Sequence, residues 1–260
     1  MNEHSETTGI VERMADEVLT VTISRPDRSN ALTPGMISEL RDILHRVAAD
    51  QQVRALVLTG AGPAFCSGID LGEAKIPQPL SLMQFVTDLV MTLHQLPKPT
   101  IARVRGPALG LGCNLALACD FVIADSSASF GQIFVRRGLV IDGGGSWLLP
   151  RFVGLRKAKE LALLGDQLEA YDAASLGMIN RVVSPENLDS TVSEWAQRLR
   201  HGPTLALGLT KALLNQGAAS SLDASLHAEG TSQAAIFQSK DAAEGVRAFA
   251  QRREPVFRGM

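Results

Sequence analysis

GPALGLGCNLALACD, from Gly106 to Asp120, decides how this chain is read. It follows TIARVRG, whose β-branched residues predict a strand, and its glycines predict a turn opening into a buried helix over CNLALA. DFVIAD then returns as a short buried strand. The same unit recurs upstream. VLTVTIS (Val18 to Ser24) has the alternation of a strand and RPDRSN closes it with turn residues. Thr33 is placed to cap a helix with Pro34 at its first position. Met36, Ile37, Leu40, Ile43, Leu44 and Val47 recur at threes and fours, the period of a half-buried helix. VRALVLTG is a further strand, GAGPAFCSGIDLG a glycine-rich loop leaving it, and SLMQFVTDLVMTLHQL a helix stopped by Pro97. Strand, strand-end loop and helix in repetition predict a wound α/β core.

From about Ser190 only helices are expected: TVSEWAQRLRHG, TLALGLTKALLNQ, SLDASLHAEGTSQAAIFQ and DAAEGVRAFAQRR. The change places a boundary near Gly202, giving a core over 1–202 and a helical region over 203–260. Leu205, Leu207, Leu209, Leu213 and Leu214 give that region more apolar surface than a small appendage can bury by itself.

At 260 residues, 45% hydrophobic and 20% charged, the chain can bury a sizeable core and has no compositional case for disorder. A formal net charge of −2 leaves no footprint for nucleic acid or an anionic membrane. The polar, acidic N-terminal stretch lacks the features of a signal peptide, and the longest apolar run is too interrupted to span a bilayer, so a cytoplasmic protein is expected. The 3 cysteines, Cys66, Cys113 and Cys119, show no metal-ligand spacing, so no metal site is expected. Cys113 and Cys119 read as packing. Cys66, in a loop, is a minor candidate nucleophile.

Gly110-Leu-Gly112 is not a dinucleotide fingerprint, because Leu115 stands where the third glycine belongs. A glycine turn entering a helix also leaves backbone N–H groups unpaired, and these can face a developing oxyanion. Two loops offer this, SGIDL (Ser67 to Leu71) and ALGLG (Ala108 to Gly112), each following a strand.

AFCSGIDL, KPTIARVRGPALGLGCNLALACDFVIAD, FGQ and GLVIDGGGSWLLPRFVG, in that order and spacing, resemble the enoyl-CoA hydratase/isomerase (crotonase) family. The likeness runs from RPDRSNAL, beginning at Arg25, to the final RREPVFRG. It implies a crotonase-like α/β spiral of ββα units with a helical C-terminal region, assembled as a homotrimer or hexamer. It also implies an acyl-CoA thioester substrate, coenzyme A being part of that substrate and no separate cofactor being needed. The enolate-stabilising N–H donors fall on Ile69 and Leu111, with Asp70, Gly110 and Gly112 flanking them. CoA is expected at Arg28 and Ala31, with Ser67 and Gly68 near the adenine and Arg252 or Arg253 reaching phosphates.

Hydratases of this family carry two glutamates where this chain has Asn114 and Phe134. Asn114 cannot act as a general base, though it could orient a water, and Phe134 adds an apolar wall. Asp142 is the compensating candidate. In the isomerase-like branches a carboxylate there reaches the acyl chain, and GLVIDGGGSWLLPR most resembles the branch of the ring-1,2-epoxyphenylacetyl-CoA isomerases. The bland alternative is that Asp142 caps the helix starting at Gly143 or Gly144. His94 reads as a charged helix-end residue and Trp147 as core packing. The expected activity is an acyl-CoA isomerisation with Asp142 as the single acid–base. A hydratase using Asp142 and a water on Asn114, or an acyl-CoA binder with little catalysis, are the rivals.

Overall fold

The computed structural model describes residues 9–72 and 78–260; the first eight residues of the acidic N-terminal stretch fall outside it. A sheet in the order β1-β2-β3-β4-β6-β9 forms the frame. Its strands are β1 (Gly9–Ala15), β2 (Val18–Ser24), β3 (Ala55–Gly60), β4 (Thr100–Val104), β6 (Phe121–Asp125) and β9 (Arg181–Val183). Only β1 and β2 pair antiparallel; the rest of this sheet is parallel. A smaller sheet, β5-β7-β8, is made of three-residue strands at Pro107–Leu109, Ser129–Gly131 and Gln167–Glu169.

The expected helices supply the crossovers. In α1 (Pro34–Ala49) the six apolar residues singled out by their period are the buried ones. Thr33 caps it, its hydroxyl accepting from the Met36 N–H at 3.2 Å. α2 (Pro79–His94) follows β3, and α3 (Leu111–Ala118) lies between β5 and β6, buried along its whole length. These helices cover one face of the large sheet and share the main core with Leu56, Leu58, Ala102 and Val104. α6 (Leu188–Arg200) covers the other face, where Val192 and Ala196 meet Val57, Ile101 and Ile123. Both faces are thus covered, as a parallel sheet requires.

α4 (Gly145–Leu164) lies between β7 and β8 in sequence, and the short α5 (Ala170–Ser175) between β8 and β9. α4 is interrupted where Gly154 adopts φ 75° and ψ 157°. Beyond Gly202 come α7 (Thr204–Gly217), α8 (Leu222–Ile236) and α9 (Lys240–Gln251). Polar contacts tie them back to the spiral. The buried Arg54 guanidinium donates to Thr204 Oγ1, the Gly202 carbonyl and the Phe257 carbonyl, and Lys211 pairs with Asp120 at 2.9 Å. Among the described residues no helix is long and apolar enough to cross a membrane.

Candidate active site

The two glycine loops cross each other. Cys66 bridges to Ala108 in parallel register, the Leu109 N–H donating to the Cys66 carbonyl at 2.9 Å. The crossing is close enough to demand glycine at two points. A Cβ on Gly112 would lie 2.1 Å from the Cys66 carbonyl oxygen. Gly68, at φ 101°, would place one 3.2 Å from the Leu109 carbonyl oxygen and 3.5 Å from the Leu111 nitrogen. Ile69 is held from its far side. The Leu32 N–H donates to the Gly68 carbonyl at 2.8 Å and the Asp70 N–H to the Leu32 carbonyl at 2.9 Å. Since backbone groups alternate along an extended segment, the Ile69 N–H faces away from Leu32, towards β5 and α3. Leu111 is the first residue of α3, so its N–H has no intrahelical acceptor. Neither N–H donates to a turn or loop carbonyl among the described residues.

Asp142 is packed against this second loop. A Cβ on the next residue, Gly143, would fall 2.7 Å from Leu111 Cδ1 and 3.5 Å from Asn114 Cβ. Asp142 does not cap α4. That helix begins at Gly145, is preceded by Gly144 in the left-handed region, and has no side-chain cap bond. Only the Asp142 carbonyl serves the turn, accepting from the Gly145 N–H at 3.0 Å. Its carboxylate oxygen Oδ1 is buried without a hydrogen-bond partner among the described residues. Burial pushes the carboxyl up to about 6.

Asn114 sits differently from the water-holding reading. It is fully buried, its Nδ2 donating to the Asp142 carbonyl and its Oδ1 accepting from Gln132 Nε2, both at 2.7 Å. With each end of the amide engaged, its observed role is to hold the Asp142 backbone. Phe134 is buried, and its ring edge lies 3.6 Å from where a Cβ on Gly110 would stand, so it walls the second loop. Gly110 itself, at φ 54° and ψ −123°, has a conformation that L residues avoid.

The Arg28–Ala31 turn lies beside the first loop. The Ser67 N–H donates to the Ser29 carbonyl at 3.0 Å and the Ser67 hydroxyl lies 3.5 Å from the Arg28 carbonyl. Asn30, not foreseen, organises this turn. Fully buried, it donates to the Ala61 and Ala64 carbonyls and accepts from the Arg25 N–H. Its only sequence signal is an asparagine in a turn ahead of an apolar pair. Asp70 forms a 2.6 Å ion pair with Arg25, which makes it a brace between the turn and the loop. Arg252 ends α9 in the left-handed region and no bond joins it to the Arg28 turn among the described residues. Arg253 is taken up by Glu244 at 2.6 Å.

Three further expectations are corrected. Cys66 is fully buried and its thiol is pushed up to about 12 by burial, which removes it as a nucleophile. His94 does end α2, but burial, and then the nearby Lys211 charge, lower its pKa, which works against the charged form the dipole would favour. Trp147 is 36% exposed, sandwiched between His94, edge-on at 5.5 Å, and the Arg151 guanidinium at 3.7 Å, so it is not core. A cavity of about 690 Å³ between α2, α4 and α7 borders Gly144 and Trp147, but Ile69, Leu111, Phe134 and Asp142 do not line it. The loop crossing is thus separate from that cavity.

Comparison with known proteins shows the family. The family described as enoyl-CoA hydratase/isomerase matches residues 13–260. The chain belongs to that family. It is 42% identical to a 1,2-epoxyphenylacetyl-CoA isomerase of Escherichia coli, covering 96% of this chain and 98% of the relative. It is 39% identical to a probable enoyl-CoA hydratase of Rhodobacter capsulatus, over 95% and 96% of the two chains. A crystal structure of a putative enoyl-CoA hydratase from Streptomyces coelicolor superposes with a TM-score of 0.93 at 36% identity, covering 100% of this chain and 98% of that one. The fold is the crotonase fold and the protein is an enzyme of the hydratase/isomerase type, a family acting on acyl-CoA thioesters.

Proposed function

We propose that this enzyme isomerises an unsaturated or ring-strained acyl-CoA through a thioester enolate, with Asp142 as its single acid–base, moving a proton where a double bond shifts. The observation that carries this reading is an Asp142 carboxylate oxygen buried without a partner among the described residues, on a segment packed against the Leu111 loop. Desolvation makes that carboxylate a stronger base than one in water, which suits abstraction of a carbon-bound proton. Asp142 takes the proton, and the electron pair of the broken C–H bond spreads to the thioester oxygen as a dienolate. The N–H groups of Ile69 and Leu111 donate to that oxygen. The protonated Asp142 returns the same proton to another carbon, so the electron pair ends in a shifted C=C bond and nothing is consumed. Arg28, Ala31, Ser67 and Gly68 hold the CoA portion, Arg252 reaches its phosphates, and Phe134 walls the acyl group. Hydration is less well served, because Asn114 and Phe134 replace both hydratase glutamates and the Asn114 amide is engaged by Asp142 and Gln132.

The test is a screen of the purified protein against 3-enoyl-, 2-enoyl- and aryl-acyl-CoA substrates, among them ring-1,2-epoxyphenylacetyl-CoA, after dialysis against a chelator and without nicotinamide. Double-bond or ring isomerisation at full rate is expected. Production of 3-hydroxyacyl-CoA as the main product, or activity restored only by added metal, would sink the reading.

The 203–260 region is read as an oligomerisation region, and the protein as a trimer or hexamer. Leu214, Phe237 and Phe249 are 70%, 64% and 87% exposed, large apolar side chains that one chain leaves uncovered. Light scattering is expected to give at least three times the 27.8 kDa chain mass. A monomer stable across micromolar concentrations would count decisively against it.

A further inference from the structure

The buried amides of Asn114 and Gln132 form a chain of hydrogen bonds whose direction is forced from one end. The Asp142 carbonyl can only accept, so Asn114 must turn Nδ2 towards it. Asn114 Oδ1 then faces Gln132, which must donate through Nε2; the same nitrogen lies 3.6 Å from Cys113 Sγ. Flipping either amide would set acceptor against acceptor. Gln132 Oε1 is thereby turned to a place where no donor among the described residues meets it, although the residue is 1% exposed.

A methionine at 132 would remove Oε1 but leave Asn114 Oδ1 buried without its donor. The Gln132 amide is what fixes Asn114 in the orientation that serves Asp142. The loop at the far end of the chain needs holding, since Gly143 and Gly144 follow Asp142 at φ 54° and 79°, in conformations that carry little restraint of their own. It is also moulded to Asn114: a Cβ on Gly145 would fall 2.6 Å from Asn114 Nδ2.

We propose that Gln132 is a positioning residue for Asp142, acting through Asn114. This rests on the reading of Asp142 as the acid–base. Neither amide belongs to the residues assigned to CoA, so their loss acts on the alignment of the carboxylate and not on thioester binding.

Gln132→Met is the deciding variant. It is expected to lower Tm modestly, since Asn114 Oδ1 loses its donor, to leave KM within about twofold, and to lower kcat on the order of 10²-fold, the scale of an ångström-sized misplacement. Asn114→Leu, which is close in size and has no donor for the Asp142 carbonyl, should show the same loss in kcat. A folded Gln132→Met enzyme with unchanged kcat overturns the inference, and so does one in which KM and kcat are disturbed alike, since that marks general damage to the site. Asp142→Asn measured alongside separates the two claims. If Asp142→Asn stays active, the acid–base reading fails first. If it is inactive while Gln132→Met turns over normally, only the positioning inference falls.

Discussion

Asp142→Asn is expected to lower turnover of the isomerised acyl-CoA by about 10²–10⁴-fold, the usual contribution of a positioned general base. The substitution keeps the shape of the side chain and removes only its ability to carry a proton. Affinity for the thioester should be nearly unchanged. Stability should rise at neutral pH. With its carboxyl raised to about 6, Asp142 is destabilising wherever the unfolded chain ionises it more readily than the folded one does. That cost is absent below the ordinary carboxylate range, grows as the pH climbs through it, and is complete above about 6. Asp142→Asn should therefore gain roughly 1–2 kcal/mol at pH 7–8, allowing for the partial exposure of the residue, and the gain should fade towards pH 4. Kinetics and thermal melts at several pH values measure both effects. Because the side chain makes no cap bond, Asp142→Ala should also fold normally. A loss of about 1 kcal/mol on truncation, with full activity in Asp142→Asn, would instead identify a helix cap.

The parts of the fold that were legible in the sequence are those in which one segment carries its own signal. α1 declares itself through Thr33, Pro34 and six apolar residues at helical period, and β2 through its alternation. β1 does not, because GIVERMA is an edge strand with no buried residue, paired on one side only. β5, β7 and β8 are three residues each, too short for any period to appear. They exist because the loops cross there. The candidate site divides in the same way. Glycines at 68 and 112 stand where backbones approach closely, and Gly110 where the chain takes a positive φ. What glycine cannot announce is the partner of a single buried polar side chain. Asn114 meets the Asp142 backbone across 28 positions and Gln132 across 18, and no local pattern encodes either contact. The same blindness made Trp147 look like core and Cys66 look like an open loop thiol.

Leu111→Pro should lower kcat by an amount corresponding to about 2.7–4 kcal/mol of transition-state stabilisation, the scale for removing one oxyanion donor. Proline is normally ruinous inside a helix because it deletes a hydrogen bond and strikes the preceding turn. Leu111 escapes that objection, since it is the first residue of α3, where the N–H has no intrahelical acceptor and proline is well tolerated. The one group lost from the backbone is the donor in question. The change also removes a fully buried side chain packed on Gly143, so some stability is lost for a reason unrelated to catalysis. Leu111→Ala isolates that part, because it truncates the same side chain and keeps the N–H. Circular dichroism should show both variants folded, with Leu111→Ala retaining most of its turnover and Leu111→Pro losing nearly all of it. Ile69 would then remain as a single donor, enough to bind the thioester but too little to hold the enolate charge. A folded Leu111→Pro enzyme with the turnover of Leu111→Ala would remove the Leu111 N–H from the mechanism and leave Asp142 working against an enolate stabilised in some other way.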